Sequence, residues 1–415
     1  MCAAAFLFPA NRANMKHMKT AATAERIEEL FARGTVAEAL PSKKELKKKL
    51  LSGEKIRVYI GFDPTSAALH LGHAKNIMFL EELRQLGHEV IVLFGDFTAQ
   101  IGDPSDKGAA RKQLTPEQVK ANVSGWLKQV SPIIDFEAEE NPAQIKYNSE
   151  WLSKLSFADV ANLAANFTVQ QMLERDMFAK RMKENAPIYL HEFMYPLMQG
   201  YDSVAMEVDA ELCGTDQIFN AMAGRTLLKR LKNKDKFVIA LNLLANPKTG
   251  ELMSKSNGTG VFIDQSAPQL FGSIMALPDE MIEPLFMNCT RISLNEKEAL
   301  MAKGPRDAKA MIASDIVKRF HGEAAAKEAE EQFIATFSKG GVPEDVMEIN
   351  IAAGESLAEV LIKAGVVPSK AEWRRLIDGG AIKKEDDEKV VDPNFKPAQT
   401  MILKVGKRRF VKVVL

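Results

Sequence analysis

Cysteine is scarce: the 415 residues hold three (Cys2, Cys213 and Cys289), at no paired spacing. That argues against a disulfide scaffold or a zinc site and fits a reducing cytoplasm. Long apolar runs are missing too. None reaches the roughly 18 residues that span a bilayer, so no membrane role is expected. The apolar residues 3–9 have no cationic stretch before them, which argues against a signal peptide. Met15 and Met18 are alternative starts, with the first residues an unstructured tail. Net charge is absent, since 55 Lys and Arg face 55 Asp and Glu. Any nucleic-acid binding must therefore come from a local patch. No long internal repeat is visible.

What is there is an ordinary globular composition, 46% hydrophobic and 27% charged, long enough for two to four domains. Residues 24–52 read as helical, with Lys43, Lys44, Lys47, Lys48 and Lys49 on a solvated face. Residues 56–62 are a short β-rich run ending in Asp63-Pro64-Thr65. A helical pattern follows over 71–86, then a second β-rich run over 90–97, closed by Gly102-Asp103-Pro104. Strand, helix, strand at this spacing predicts a parallel βαβ unit. Residues 115–185 look mostly helical, and 237–244 is a further strand. Residues 268–337 are helical again. A glycine-containing linker (339–343) leads to a small α/β segment from Glu355.

Three local patterns carry chemistry. His70-Leu71-Gly72-His73 falls where a strand turns into a helix. Two histidines three apart share one helical face, and free amides at a helix start attract anions. Gly72 leaves backbone on which a flat base can lie. The competing reading is a pair of inert surface histidines. Met253-Ser254-Lys255-Ser256 sits in a polar stretch that reads as a mobile loop. A lysine there can follow charge developing on a leaving group; the competing reading is a solvated turn. Tyr195, Gln199 and Asp202 fall on one helical stripe, either a polar pocket wall or merely a polar face.

Taken together, HLGH at 70–73 and MSKS at 253–256 resemble the HIGH and KMSKS signatures of class I aminoacyl-tRNA synthetases. The Tyr-x3-Gln-x2-Asp pattern resembles the bacterial tyrosyl-tRNA synthetases, over roughly residues 30–415. Leu252 departs from the second signature, where the family has lysine; Lys248 is a nearby substitute. The resemblance implies an α/β fold: a Rossmann-like parallel sheet with a helical insertion, then an α-helical domain, then a small α/β RNA-binding domain of ribosomal-protein type. The implied boundaries are 1–45 for a tail and helix, 46–265 for the catalytic domain with its insertion at about 115–185, 266–345 for an α-helical anticodon-region domain, and 350–415 for the small domain. The implied reaction activates L-tyrosine with ATP and transfers it to tyrosine tRNA.

By the same resemblance Thr65, His70, His73 and Lys255 are catalytic. Tyr59 and Asp202 read the phenol. Tyr195, Gln199 and Asp103 face the ammonium, and Gln217 the carbonyl oxygen. Gly61, Asp63, Gly72, Lys107, Arg111, Gly214, Asp216, Ser254 and Lys255 bind ATP, which arrives with Mg2+; no tightly bound protein metal is implied. The last segment, from Glu355, has 13 Lys and Arg against 9 Asp and Glu. Its Arg374, Arg375, Lys407, Arg408 and Arg409 are the expected RNA contacts, with Ser369 capping a helix that ends at Gly379-Gly380 and a hairpin arm at 401–407. A homodimer through the helical insertion is also implied. Two alternatives stay open: a tryptophanyl-tRNA synthetase, and a non-catalytic RNA-binding protein that keeps a synthetase shell.

Overall fold

The computed structural model describes residues 23–102, 114–254, 258–338, 347–352, 354–384, 388–406 and 409–415. It divides into two compact units, one of 1–265 with 279–308 and one of 266–278 with 309–415.

The first unit is built on six strands: β1 (Val36–Leu40), β2 (Arg57–Phe62), β3 (Glu89–Phe94), β4 (Gln144–Tyr147), β5 (Ala210–Gly214) and β6 (Phe237–Leu241). Their order is β1-β6-β5-β2-β3-β4. All neighbours are parallel except β1, which runs antiparallel to β6. The β3 strand is buried along its whole length. A central strand covered on both faces reads as a continuous apolar run, which is why β2, β3 and β6 were legible. The expected βαβ unit is present as β2, the helix α3 (Leu71–Gln85) and β3.

Three features differ from the sequence expectation. The helical reading of 24–52 is interrupted by β1, between α1 (Ala24–Ala32) and α2 (Lys43–Leu50). Val36 and Ala39 bury against β6, and this pairing overrides the local helical preference. The sheet is therefore mixed, not purely parallel, and part of the expected N-terminal tail and helix belongs to it. Next, β4 lies inside the stretch read as helical insertion, after α5 (Pro116–Val130), and pairs with β3. Four residues with one aliphatic side chain give little strand signal. Finally β5 was not foreseen, because its Ala-Glu-Leu-Cys-Gly run is short and carries a glutamate.

The remaining helices of this unit are α4 (Thr98–Ile101), α6 (Ser149–Leu152), α7 (Phe157–Ala164), α8 (Val169–Leu173), α9 (Asp176–Lys183), α10 (Met194–Met206) and α11 (Ile218–Lys232). In the helical stretch that follows, α12 (Ala267–Ala276), α13 (Ile282–Cys289), α14 (Lys297–Met301), α15 (Pro305–His321) and α16 (Glu323–Ser338) appear as expected. Of these, α13 packs on α3 in the first unit. The helices α10 and α11 approach closely: a Cβ at Gly200 would stand 3.0 Å from the Leu227 Cδ1 and 3.1 Å from the Gly224 nitrogen.

In the second unit a four-stranded sheet has the order β7-β10-β9-β8, from β7 (Met347–Asn350), β8 (Ile382–Lys384), β9 (Met401–Val405) and β10 (Arg409–Val414). The β9–β10 hairpin is the expected arm. The small fold begins earlier than 350, because β7 pairs in parallel with β10. Its helices are α17 (Leu357–Lys363) and α18 (Lys370–Asp378). The Ser369 side chain accepts from the Glu372 amide, and α18 stops at Gly379, followed by Gly380 at φ +61°, as the spacing predicts. Leu357, Leu361, Trp373, Leu403 and Val413 form its core. Among the described residues no helix is long and apolar enough to cross a membrane.

Candidate active site

The chain leaves β2 toward β3 on one side, and β5 is followed by β6 on the other. Neighbouring parallel strands whose connections diverge leave a crevice at their carboxyl ends. Here that crevice is a cavity of about 690 Å³. From the end of β2 and the turn after it come Gly61, Asp63 and Thr65; from the start of α3, His70, Gly72 and His73; from α10, Tyr195, Gln199 and Asp202; from the end of β5 and the turn after it, Gly214, Asp216 and Gln217. Tyr59 and Ser254 complete the expected residues on its wall. Asp103, Lys107, Arg111 and Lys255 lie outside the described residues.

The two histidines start α3 themselves. His70 is the N-cap: its Nδ1 accepts from the Gly72 amide (3.1 Å), while the His73 Nδ1 accepts from the His70 amide (3.3 Å). A ring nitrogen that accepts carries no proton, so in each neutral ring the proton sits on Nε2. Both imidazoles are therefore Nε2–H donors. Gly72 is required first by this cap, since a Cβ there would stand 2.8 Å from the His70 ring. The stretch after MSKS is tied to the same place. Leu71 donates to the Val261 carbonyl (3.0 Å) and Ile263 to the Leu69 carbonyl (3.0 Å), so the two signatures are joined by an antiparallel bridge between His70 and Phe262.

Burial holds both rings neutral, His70 lowered to about 4 and His73 to about 3, the latter also by its neighbour His70. His88, outside the cavity, is lowered to about 4 by burial and by Lys55. Folded values below the unfolded value of about 6.5 mean that the unfolded chain takes protons first as pH falls. Their contribution is intact above about pH 6.5 and is lost on the way down to pH 4. We expect the urea midpoint to be level from pH 8 to 7 and to fall steadily from pH 6.5 to 4.5, by an energy on the order of several kcal/mol. A midpoint unchanged over that interval contradicts the buried neutral state.

Along α10 the polar stripe makes its own contacts. The Tyr195 hydroxyl donates to Asp63 Oδ2 (2.9 Å), whose Oδ1 accepts from Thr98 Oγ1 (2.7 Å). Gln199 Nε2 donates to Glu211 Oε1 (2.9 Å). Asp202 accepts from Trp151 Nε1 (2.7 Å) and Asn148 Nδ2 (3.4 Å). Tyr59 meets Ser203 Oγ at 3.0 Å rather than Asp202. Burial pushes the Asp202 carboxyl well above its ordinary range, and Trp151 and Asn148 pull it back. Burial also raises the Tyr59 phenol, helped by Glu211 and Asp202.

Several wall residues were not anticipated. Lys75, on α3, is 2% exposed and hydrogen-bonds Asn76 and Asn242; burial lowers it to about 8. Glu211 lines the cavity and pairs with the buried Lys236. A charged residue within an apolar strand run is itself a signal, because an unpaired buried charge is costly. Lys248 is engaged instead by Glu280 at 3.3 Å, while Leu252 is on the cavity wall. In the second unit Arg374 and Arg375 are exposed, but Arg375 forks onto Glu372 at 2.8 and 2.7 Å. Lys407 and Arg408, like the Arg409 side chain, lie outside the described residues. Among the described residues no group of three or more His, Cys, Asp or Glu side chains is arranged to hold a metal ion.

Known proteins resemble this chain over most of its length. Residues 51–338 match the family described as tRNA synthetases class I (W and Y). A tyrosine–tRNA ligase of Carboxydothermus hydrogenoformans is 43% identical over 407 residues, covering 93% of this chain and 97% of the relative. That of Idiomarina loihiensis is 42% identical over 408 residues, covering 96% and 100%. Among solved structures, the C-terminally truncated mitochondrial tyrosyl-tRNA synthetase of Aspergillus nidulans has a TM-score of 0.63 at 22% identity, covering 75% of this chain and 94% of that one. The Archaeoglobus fulgidus enzyme complexed with L-tyrosine scores 0.56 at 22% identity, covering 74% and 99%; these two speak for the fold alone. With its mixed sheet, the histidine pair at the start of α3 and relatives of this identity over nearly its whole length, the chain belongs to the class I tRNA synthetases of the tryptophan and tyrosine group.

Proposed function

We propose that this enzyme is a tyrosine–tRNA ligase, which activates L-tyrosine with ATP and transfers it to tyrosine tRNA. The observation that carries the choice of amino acid is the pair of buried polar groups on the cavity wall, Tyr59 and Asp202. A phenol hydroxyl gives both a partner. An indole has a single N–H to donate and no hydroxyl oxygen to accept, so it can serve only one of the two groups, which weighs against tryptophan. The ammonium is met by acceptors. The Tyr195 hydroxyl hydrogen goes to Asp63 and the Gln199 amide hydrogen to Glu211, so each turns an oxygen toward a cation; Asp103 adds a carboxylate. Gln217 takes the substrate carbonyl oxygen.

In the first step the tyrosine carboxylate attacks the α-phosphorus of ATP, and pyrophosphate leaves. In the second a ribose hydroxyl at the tRNA 3′ end takes the tyrosyl group, and AMP leaves. No side chain acts as a covalent nucleophile, and rate comes from positioning and from charge stabilisation. The Nε2–H donors of His70 and His73, with Thr65 and Lys255, meet charge on the transferring phosphates. Gly61, Gly72, Gly214, Asp63, Asp216 and Ser254 hold the nucleotide, with Asp216 on a ribose hydroxyl. Lys107 and Arg111 approach the phosphates, and Mg2+ comes with ATP. Intact HLGH and MSKS segments weigh against a non-catalytic shell.

We assign residues 46–265 to catalysis, 266–345 to the anticodon region of the tRNA and the small fold from 347 to RNA binding through Arg374, Arg375, Lys407, Arg408 and Arg409. Exposed Phe157, Val169 and Met182 within the insertion, with Tyr189 and Leu190 just beyond it, support self-association there, as a homodimer. A cytoplasmic setting is supported by the scarcity of cysteine. Pyrophosphate exchange with each of the twenty amino acids tests the function, with tyrosine expected to be the one activated. Exchange driven best by tryptophan, or by none, overturns it. Removal of 347–415 is expected to spare this exchange and reduce tRNA charging at least ten-fold, because RNA affinity rests largely on phosphate neutralisation. Undiminished charging removes the role assigned to that fold.

A further inference from the structure

Behind the amino-acid pocket lies a buried ion pair that the reaction itself does not use. Glu211, on β5, is 2% exposed, and Lys236, just before β6, is 1% exposed. The Lys236 ammonium contacts Glu211 Oε2 and donates to Ser203 Oγ at 2.9 Å. Room for it comes from α11: a Cβ at Gly224 would stand 2.6 Å from Lys236 Nζ and 2.7 Å from Ser203 Oγ. The other oxygen, Glu211 Oε1, accepts from Gln199 Nε2 at 2.9 Å. Pairs of this kind contribute little net stability compared with an apolar replacement, so its place beside the cavity calls for another explanation.

A side-chain amide can present either its oxygen or its NH2 to a ligand, and the two faces are nearly isosteric. An ionised carboxylate only accepts. With the Lys236 ammonium against one carboxylate oxygen, the other is left as an acceptor, and the NH2 of Gln199 faces it. The Gln199 carbonyl oxygen is then turned the other way, toward the cavity. We propose that Glu211, paired with Lys236, is a positioning residue that fixes the Gln199 amide with its oxygen toward the ammonium of the bound amino acid. The same carboxylate takes the Ser203 hydroxyl hydrogen at 3.3 Å.

The proposal rests on the tyrosine reading, and its test separates the two. Single replacement of either charge would strand the other, so two double variants are compared: Glu211→Gln with Lys236→Met, and Glu211→Leu with Lys236→Met. The first keeps an acceptor for Gln199 without charge; the second has none. The readout is the ratio of dissociation constants for tyrosine and for 3-(4-hydroxyphenyl)propionate, which lacks the ammonium. In the leucine double variant tyrosine should lose about ten-fold relative to the analogue, while the glutamine double variant stays near the parent ratio. In a Gln199→Ala background neither pair should alter the ratio further. Equal weakening of both ligands would mean a merely structural role. Equal loss of the ratio in both double variants would mean that the Glu211 charge acts directly on the ammonium. Either result overturns the proposal, with tyrosine binding by the parent enzyme still standing. Failure of the parent enzyme to bind tyrosine overturns both readings.

Discussion

His70→Ala is expected to slow adenylate formation about a hundred- to a thousand-fold while changing ATP affinity little. Losing one donor aimed at developing charge typically costs ~3 kcal/mol. The His70 Nε2–H is such a donor, because its Nδ1 is occupied by the Gly72 amide. The ring also caps α3, so alanine removes a cap worth ~1 kcal/mol of stability as well. His70→Asn separates the two effects. Asparagine restores a capping acceptor but does not place a donor where Nε2 lies. Single-turnover adenylate formation should therefore be slow in both variants, while the urea midpoint falls mainly in the alanine one. A raised ATP dissociation constant with an unchanged rate constant would reduce His70 to a binding group.

The second large effect concerns Asp202. Asp202→Ala is expected to lower kcat/KM for tyrosine by roughly 10- to 150-fold more than for phenylalanine, the range that corresponds to losing a hydrogen bond to a charged group. Tyr59→Phe should have a smaller effect, about ten-fold or less, because its bond is between neutral groups. The Asp202 variant carries a second penalty. The Trp151 and Asn148 donors that now end on the carboxylate would be left buried without it, at about 1–3 kcal/mol for an orphaned group. Its melting temperature should fall along with its activity. Measuring kcat/KM for both amino acids in both variants decides the matter. A tyrosine-to-phenylalanine ratio unchanged in both would show that the hydroxyl is read elsewhere.

How much of this was legible beforehand follows from the range of the interactions. HLGH lies within one turn of helix, and the Tyr195, Gln199 and Asp202 stripe within two, so their spacing predicted one shared face. The cap on α18 was readable for the same reason. Glu211 with Lys236 was not, because one partner is on β5, the other just before β6, and they meet only when β5 pairs with β6. The β1 strand was hidden because its antiparallel partner lies some two hundred residues away, at β6. Ser203, the neighbour of Asp202 in sequence, was not anticipated as the group that meets the Tyr59 hydroxyl, because that contact joins α10 to β2. Lys248 was the nearest cation before Leu252 in sequence, yet it meets Glu280 at 3.3 Å.

The outermost strands of the main sheet have a consequence for how copies of this enzyme can meet. The β1 strand is five residues long and β4 four, and the pairing of β1 shifts register between Val36 and Glu38. Pro41 follows directly, with no amide hydrogen to offer. Short, irregular borders make poor templates for a foreign strand. Two molecules therefore have little opportunity to fuse their sheets into one.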